Sequence, residues 1–170
     1  MPGTGKSTLA EEVGRRSAVP VFAGDWLLGA LKPHGVLKGL GRAEFLAMYY
    51  GLLETLVRRQ LMLGQSAIVD CLMDDATIAG WEQMSAEHGA RLWVIECVCS
   101  DVEEHRRRLD GRRRGIPGWH EVGWDHVERM RVAYPGVRRE HLRVDAMESV
   151  EVNVVRVLRW IGRWKGQRRQ

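Results

Sequence analysis

Apolar residues recur at helical spacing along most of the chain, and short runs of consecutive apolar residues separate these segments. The helical spacing predicts helices over about 6–16, 42–63, 75–88, 100–110, 124–134 and 150–164. The short apolar runs predict strands at 19–23, 66–70, 92–98 and 142–144. The run at 92–98 does not alternate with polar residues, which is typical of a strand covered on both faces.

Helices and strands alternate in this order, which indicates an α/β fold with a parallel sheet. With 170 residues, the chain suits one domain around one sizeable core. No internal repeat and no linker divides it, so we expect a single domain over 1–170. The glycine-rich stretch 29–41 is expected to be a loop near the functional site.

Charge and cysteine content change this picture little. The net charge is +4, but 22 of the 26 basic residues are arginine, a skew that also fits a GC-rich genome, so it is weak evidence for nucleic-acid binding. The sequence contains no run of about 18 apolar residues and no signal-peptide core, so we expect a cytoplasmic protein without a membrane span. Three cysteines argue against a disulfide framework and favour reduced thiols at Cys71, Cys97 and Cys99.

The first chemical motif is Gly3-Thr4-Gly5-Lys6-Ser7-Thr8, which matches the end of the pattern G-x-x-x-x-G-K-[ST]. In that pattern, backbone N–H groups cradle phosphate oxygens, and the next helix directs its positive N-terminus at the same anion. Lys6 would reach the β- and γ-phosphates, and the Ser7 hydroxyl would ligate Mg²⁺. The alternative is a glycine turn that caps a surface helix; the amphipathic helix that follows favours binding of ATP and Mg²⁺.

Two aspartates follow predicted strands: Asp25 comes after the first strand, and Asp70 ends the second. In open α/β sheets, ligands bind at the carboxyl ends of the strands. Asp25 is therefore a candidate general base for an acceptor hydroxyl, or else the N-cap of a helix that begins just after it. Asp70 occupies the place of an acid that holds Mg²⁺, whereas Asp74 and Asp75 are better explained as helix caps.

An arginine cluster surrounds the glycine break GRRRGIPG at 111–118. It consists of Arg106, Arg107, Arg108, Arg112, Arg113 and Arg114. The cluster is either a solvated face or a lid, predicted at about 106–122, that closes on the phosphates. A planar guanidinium suits the second role, since it stabilises charge on a transferring phosphoryl group. Arg108 and Arg112, spaced R-x-x-x-R, are the pair that we expect to be functional.

Together these segments resemble the P-loop kinases of the nucleoside-kinase-like group. They look especially like small bacterial proteins labelled AAA-family ATPases or predicted kinases, which are similar to polynucleotide kinase and chloramphenicol phosphotransferase. The resemblance rests on PGTGKST, PVFAGDWL, AIVD and RLDGRRRGIPGW. It implies a three-layer α/β/α P-loop NTPase fold with the strand order 2-3-1-4-5. It also implies that Asp25 activates the acceptor hydroxyl, and that the base of the nucleotide lies near Arg107, Arg108 and Asp145.

The central strand of that order normally precedes the phosphate loop, and we expect it to be missing from this sequence. Three explanations are open: a recorded start downstream of the true one, which we favour; another segment in the central position; or a degenerate relative that no longer turns over ATP. Without the central strand, the strands at 66–70 and 92–98 would lose their common hydrogen-bonding partner.

Three functions remain open at this point. The favoured one is an ATP-dependent phosphotransferase that uses Mg²⁺ and transfers the γ-phosphoryl group to a hydroxyl of a small molecule, such as an antibiotic, a sugar or a nucleoside. Its catalytic residues would be Lys6, Asp25, Arg108 and Arg112, and the short N-terminus would impair it. The second is a polynucleotide 5′-hydroxyl kinase, and the third is a non-catalytic nucleotide-binding protein.

Overall fold

The computed structural model describes residues 1–134 and 136–167, with side chains up to residue 162. Its helices are α1 Lys6–Ser17, α2 Gly24–Leu31, α3 Arg42–Met62, α4 Asp75–Glu87, α5 Val102–Asp110, α6 Trp124–Ala133 and α7 Val150–Gln167. Its strands are β1 Val21–Ala23, β2 Ile68–Asp70, β3 Ile95–Val98 and β4 Leu142–Asp145. The sequence also predicts a frayed tail at 167–170, of which 168–170 lie outside the described residues.

The strands form two parallel pairs. β1 pairs with β2, so that Ala23 lies opposite Asp70, and β3 pairs with β4, so that Val98 lies opposite Asp145. The expected order 2-3-1-4-5 counts the missing strand as strand 1, so β1 to β4 correspond to its strands 2 to 5. The two observed pairs are therefore the expected neighbours 2-3 and 4-5. In the described part of the chain no ladder joins β2 to β3. Because all four strands are parallel within their pairs, the carboxyl end of each strand lies opposite the carboxyl end of its partner.

Apolar side chains pack on both faces of the strands. One cluster joins Leu9 and Val13 of α1 to strand β4 and helix α7, and the other joins α3 to α4 around Leu53 and Trp81. Successive strand residues point to opposite faces, so Ile68 packs against the first cluster and the next residue of β2 against the second. Strand β2 is thus covered by helices on both faces, as the three-layer fold requires of a central strand.

Aspartate side chains cap the N-termini of α4 and α5. The Asp74 carboxylate accepts a hydrogen bond from the Thr77 backbone N–H at 2.8 Å, and α4 follows. The Asp101 carboxylate accepts from the Glu104 N–H at 2.9 Å, and α5 follows. The interpretation of Asp74 as a helix cap is confirmed, whereas Asp75 is the first residue of α4 and not its cap.

Helix α2 is not predicted by helical spacing; the sequence raised it only in the alternative in which Asp25 caps a helix. The expected loop at 29–41 contains the last turn of α2 and a 3₁₀ turn, Lys32–His34. Glycine at position 29 is therefore not a helix break. A Cβ atom on Gly29 would lie 2.5 Å from the Pro117 carbonyl oxygen, so glycine allows the lid backbone to approach the helix.

Helix length and composition also bear on membrane association. Among the described residues, none of the helices is long and apolar enough to cross a membrane.

Candidate active site

The phosphate-binding loop leads directly into α1. Gly3 (φ +82°) and Gly5 (φ +77°) both adopt the left-handed conformation, which glycine reaches at little cost. Gly5 is the N-cap residue and provides no side-chain cap, so the first backbone N–H groups of α1 keep their hydrogens for a ligand. Thr4 is buried, and its hydroxyl donates to the Met1 carbonyl at 2.9 Å, which fixes the curvature of the loop. This geometry is that of an anion-binding loop.

Lys6 and Ser7 lie in the first turn of α1 and reach different partners. The Lys6 ammonium donates to the Met1 carbonyl at 3.2 Å, so it lies across the loop. The Ser7 hydroxyl donates to Asp70 Oδ2 at 2.5 Å. The structure therefore brings together the two predicted Mg²⁺ ligands from segments 63 positions apart.

The oxygen donors fit the metal that was predicted. Mg²⁺ is usually held by one or two protein oxygens, and its other ligands are waters and substrate phosphates. One hydroxyl and one carboxylate beside a phosphate loop make such a set. In residues 1–134 and 136–162, no group of three or more His, Cys, Asp or Glu side chains forms a more complete metal cage.

Asp25 lies in the first turn of α2 and faces the lid. The N-cap of α2 is Ala23, so the alternative interpretation of Asp25 as an N-cap is wrong. The Asp25 side chain is 41% exposed and forms an ion pair with Arg114, whose own side chain is only 14% exposed. The Glu121 carboxylate accepts from the Arg114 backbone N–H at 2.7 Å and from its Nε at 3.1 Å. The lid arginine is thus held between two carboxylates.

The pKa of Glu121 reflects its hydrogen bonds from Arg114. Burial raises the pKa of Glu121, but the hydrogen bonds from Arg114 outweigh it, and the net pKa of this carboxyl lies below its ordinary value. Glu121 therefore stays ionised and keeps the lid loop folded back on itself.

Arg112 is the lid arginine with open hydrogen-bond donors. Its Nε lies 3.5 Å from a Glu121 oxygen. Within the described residues, its buried Nε and Nη2 atoms have no hydrogen-bond partner. Burial lowers the pKa of Arg112 most, and Arg114 acts in the same direction, whereas Glu121, Asp25 and Asp70 oppose the shift. A buried guanidinium with unsatisfied donors is stabilised by an incoming anion such as a phosphate.

Arg108 binds elsewhere, beside the loop that follows β4. Its Nε donates to a Glu104 oxygen at 2.6 Å, and its Nη1 donates to the Ala146 carbonyl at 2.8 Å. A Cβ atom on Gly5 would lie 3.6 Å from the Ala146 Cβ, so this loop borders the phosphate loop. Arg108 and the neighbourhood of Asp145 therefore lie together, in the region where the resemblance implies binding of the base.

Three residues near the site were not selected from the sequence. Arg114 belongs to the arginine cluster, but its spacing does not distinguish it from its neighbours. Glu121 has no motif, and Tyr49 falls on the helical spacing of core residues. A Cβ atom on Gly24 would lie 2.1 Å from the Tyr49 hydroxyl, so Tyr49 packs against the backbone beside Asp25. Only the packing of the lid and α3 onto α2 identifies these residues.

Fold and site together define a P-loop protein. The family described as AAA domain matches residues 1–137, and the chain belongs to that family. Among curated proteins, none matches the chain.

Two solved structures are similar over nearly the whole chain. An unliganded sugar kinase from Janibacter sp. HTCC2649 is 15% identical, with a TM-score of 0.66 over 95% of this chain and 90% of that chain. A candidate kinase from Chloroflexus aurantiacus J-10-fl is 19% identical, with a TM-score of 0.68 over 94% of this chain and 93% of that chain. The predicted α/β P-loop NTPase fold is confirmed, and the chain is a small P-loop kinase-like protein in fold and family.

Proposed function

We propose that the protein is an ATP-dependent kinase that, with Mg²⁺, transfers the γ-phosphoryl group to a hydroxyl of a small molecule of the antibiotic, sugar or nucleoside type. The observation that supports it best is the contact between Ser7 and Asp70 at the first turn of α1, beside the phosphate loop. The kinase fold of the two similar structures supports the same class of reaction.

The nucleotide would occupy the loop at residues 3–8. Backbone N–H groups of the loop would bind the phosphate oxygens. The positive charge of Lys6 would stabilise the negative charge that develops on the γ-phosphoryl group during transfer. Ser7 and Asp70 would hold Mg²⁺, which would neutralise negative charge on the nucleotide phosphates. Arg108 would lie toward the base of the nucleotide, and Arg112 would offer its open donors to the transferring group.

The acceptor would lie between Asp25 and the lid. Its hydroxyl oxygen attacks the γ-phosphorus, the bond to the leaving ADP breaks, and the hydroxyl proton passes to the Asp25 carboxylate. Arg114 holds that carboxylate from the lid side. Because the Asp25 side chain remains 41% exposed, its pairing leaves it accessible to a substrate.

The deciding experiment combines Mg·ATP calorimetry with ADP release in the presence of a panel of hydroxyl-bearing small molecules. Asp25→Asn is expected to retain Mg·ATP binding and to lower kcat by about 100-fold to 10,000-fold, the range lost when a general base is removed. The matched control is Asp74→Asn, which changes the same chemical group at a helix cap, where asparagine serves equally well.

Each alternative function predicts a different result in the same assays. Mg·ATP binding without any acceptor would indicate the non-catalytic nucleotide-binding protein. If polynucleotide 5′-ends are the acceptor, their affinity will fall steeply as salt rises, whereas a neutral small acceptor will show little salt dependence. Absence of Mg·ATP binding to the unmodified protein would contradict the proposal altogether.

A further inference from the structure

A buried histidine touches the back of the phosphate loop. His105 lies on α5 and is only 1% exposed, which is rare for a polar side chain unless its hydrogen bonds are satisfied. Its Nε2 atom lies 2.7 Å from the Pro2 carbonyl oxygen, 103 positions away. Its Nδ1 atom lies 3.2 Å from Nη2 of Arg131, on α6.

These two contacts define one protonation state of the ring. A carbonyl oxygen only accepts, so Nε2 must carry a hydrogen and donate to Pro2. A guanidinium only donates, so Nδ1 must present its lone pair to Arg131. The ring is therefore neutral and protonated on Nε2, and a second proton would set two N–H groups against each other. Burial lowers the pKa of His105, and the Arg131 charge acts in the same direction.

The ring also forms part of the surface that supports the loop. A Cβ atom on Gly3 would lie 3.1 Å from two atoms of the His105 ring and 3.3 Å from Leu109, one turn further along α5. On its other side, the ring packs edge-to-face against Trp124 at a centroid distance of 5.1 Å. The Arg131 guanidinium lies 5.0 Å from the centroid of the same tryptophan. The loop backbone, the histidine and the first turn of α6 are thus in continuous contact.

We propose that His105 is a positioning residue that couples helix α6 to the phosphate-binding loop: it donates to the Pro2 carbonyl and accepts from Arg131. Helix α5 leads into the lid and α6 leaves it, so the hydrogen-bonded chain from Arg131 to Pro2 connects the C-terminal base of the lid with the loop. The proposal assigns His105 no contact with a substrate. The effect of His105 on catalysis rests on the proposed kinase function, whereas its effect on the loop does not.

Substitutions at His105 separate the hydrogen bond from simple packing. Gln places an amide N–H near the position of Nε2 and retains the donor to Pro2, whereas Leu fills a similar volume and leaves the carbonyl unsatisfied. His105→Leu is expected to accelerate amide hydrogen exchange by about tenfold at Leu9, whose N–H donates to the Gly5 carbonyl at 3.0 Å and therefore reports on the loop. It is also expected to weaken Mg·ATP binding to a similar extent. His105→Gln is expected to remain within about twofold of the unmodified protein in both measurements.

The contact with α6 is tested on its own. Arg131→Ala is expected to accelerate exchange of the Leu9 amide by a few fold, less than His105→Leu does, because the bond to Pro2 survives. The control is Arg129→Ala, at an exposed arginine on the same helix, which is expected to leave loop exchange unchanged. Thermal unfolding of every variant shows whether the fold as a whole is retained.

Two results would overturn the proposal. One is loop exchange in His105→Leu equal to that of the unmodified protein; the other is His105→Gln behaving like His105→Leu, which would make the residue a packing element only. Equal effects of Arg131→Ala and Arg129→Ala would remove α6 from the coupling. The exchange measurement needs no nucleotide, so it remains decisive even if Mg·ATP does not bind and the kinase proposal fails.

Discussion

At the scale of single residues, the site is organised by charged groups that hold one another in place. Arg114 is clamped by Asp25 and Glu121, and Arg108 is clamped by Glu104 and a backbone carbonyl. Planar guanidinium groups suit this arrangement because each can serve two acceptors at fixed angles. Arg112 differs from both, since two of its buried donors, Nε and Nη2, have no hydrogen-bond partner among the described residues, and a bound phosphate would satisfy them.

One prediction at this scale concerns Glu104. Its hydrogen bonds from Arg107 and Arg108 lower the pKa of Glu104 from 4.5 to about 2. The unfolded chain protonates this carboxyl near its ordinary pKa, so the contribution to folding is complete above about pH 4.5 and is lost as pH falls toward 2. The free energy of unfolding, from urea titrations, is expected to differ between the unmodified protein and Glu104→Gln at pH 7, and this difference is expected to shrink below pH 4.5.

The control for that measurement is Glu103→Gln, at an exposed residue of the same turn, for which we expect no comparable trend. A difference for Glu104→Gln that is constant from pH 7 to pH 3 would contradict the assignment. Added salt is expected to reduce the difference in the free energy of unfolding, because Glu104 and its two arginine partners lie near the surface.

At the scale of elements, the lid is docked onto α2 through a close contact between two glycines. A Cβ atom on Gly118 would lie 2.3 Å from the Gly29 carbonyl oxygen and 2.9 Å from Pro33. Next to this contact, the Lys32 ammonium lies 5.4 Å from the centroid of the Trp119 ring. The backbone contact and the Asp25–Arg114 pair hold the lid over the proposed acceptor site.

The glycine contact can be tested with two alanine substitutions that differ in one respect. Gly118 (φ +72°) and Gly115 (φ +63°) are both left-handed, so alanine at either position costs about 1–2 kcal/mol in backbone strain. Only Gly118→Ala adds a collision, since a Cβ atom on Gly115 has open space around it. We expect trypsin to cleave the arginine-rich lid several-fold faster in Gly118→Ala than in Gly115→Ala.

Equal cleavage rates in the two variants would show that the glycines matter only for backbone conformation. Faster cleavage in Gly118→Ala, together with a raised KM for the acceptor and unchanged affinity for Mg·ATP, would support the placement of the acceptor beneath the lid.

At the scale of the whole molecule, two apolar clusters lie on opposite faces of strand β2. Leu9 belongs to the cluster of α1 and α7, and Leu53 to the cluster of α3 and α4. If 1–170 is a single domain, both clusters belong to one cooperative unit. Removing side chains from either cluster is then expected to lower the midpoint temperature of the same unfolding transition.

The prediction compares three leucine-to-alanine substitutions. Leu9→Ala and Leu53→Ala, at residues 8% and 0% exposed, are each expected to lower the free energy of unfolding by about 2–5 kcal/mol. Leu63→Ala, at a residue 53% exposed, is expected to change it by less than about 0.5 kcal/mol. Calorimetry would show one transition for each protein, whereas two transitions that respond to different substitutions would contradict the single domain.

The sequence by itself determined the features that depend on neighbours along the chain. Helical spacing predicted α1 and α3 to α7 with their ends close to the observed ones, and alternation of helices with strands predicted the α/β class. The motif from Gly3 to Thr8 predicted a phosphate loop from residues within a few positions of one another, and the left-handed Gly3 and Gly5 of the structure fit that prediction. Asp70 was selected as a candidate metal ligand because it ends a predicted strand, and ligands bind at the carboxyl ends of strands in this fold class. The structure places its carboxylate against the Ser7 hydroxyl.

Only the tertiary structure decided which distant groups meet. Arg114 reaches Asp25 across 89 positions, and His105 reaches Pro2 across 103, so no local period marks either pair. Helix α2 was missed because Gly29, which breaks a helix in isolation, is required there by the approach of the lid. Helical spacing and short motifs describe interactions within a few residues. The contacts of Arg108, Arg114 and His105 instead depend on packing between elements that are distant in sequence.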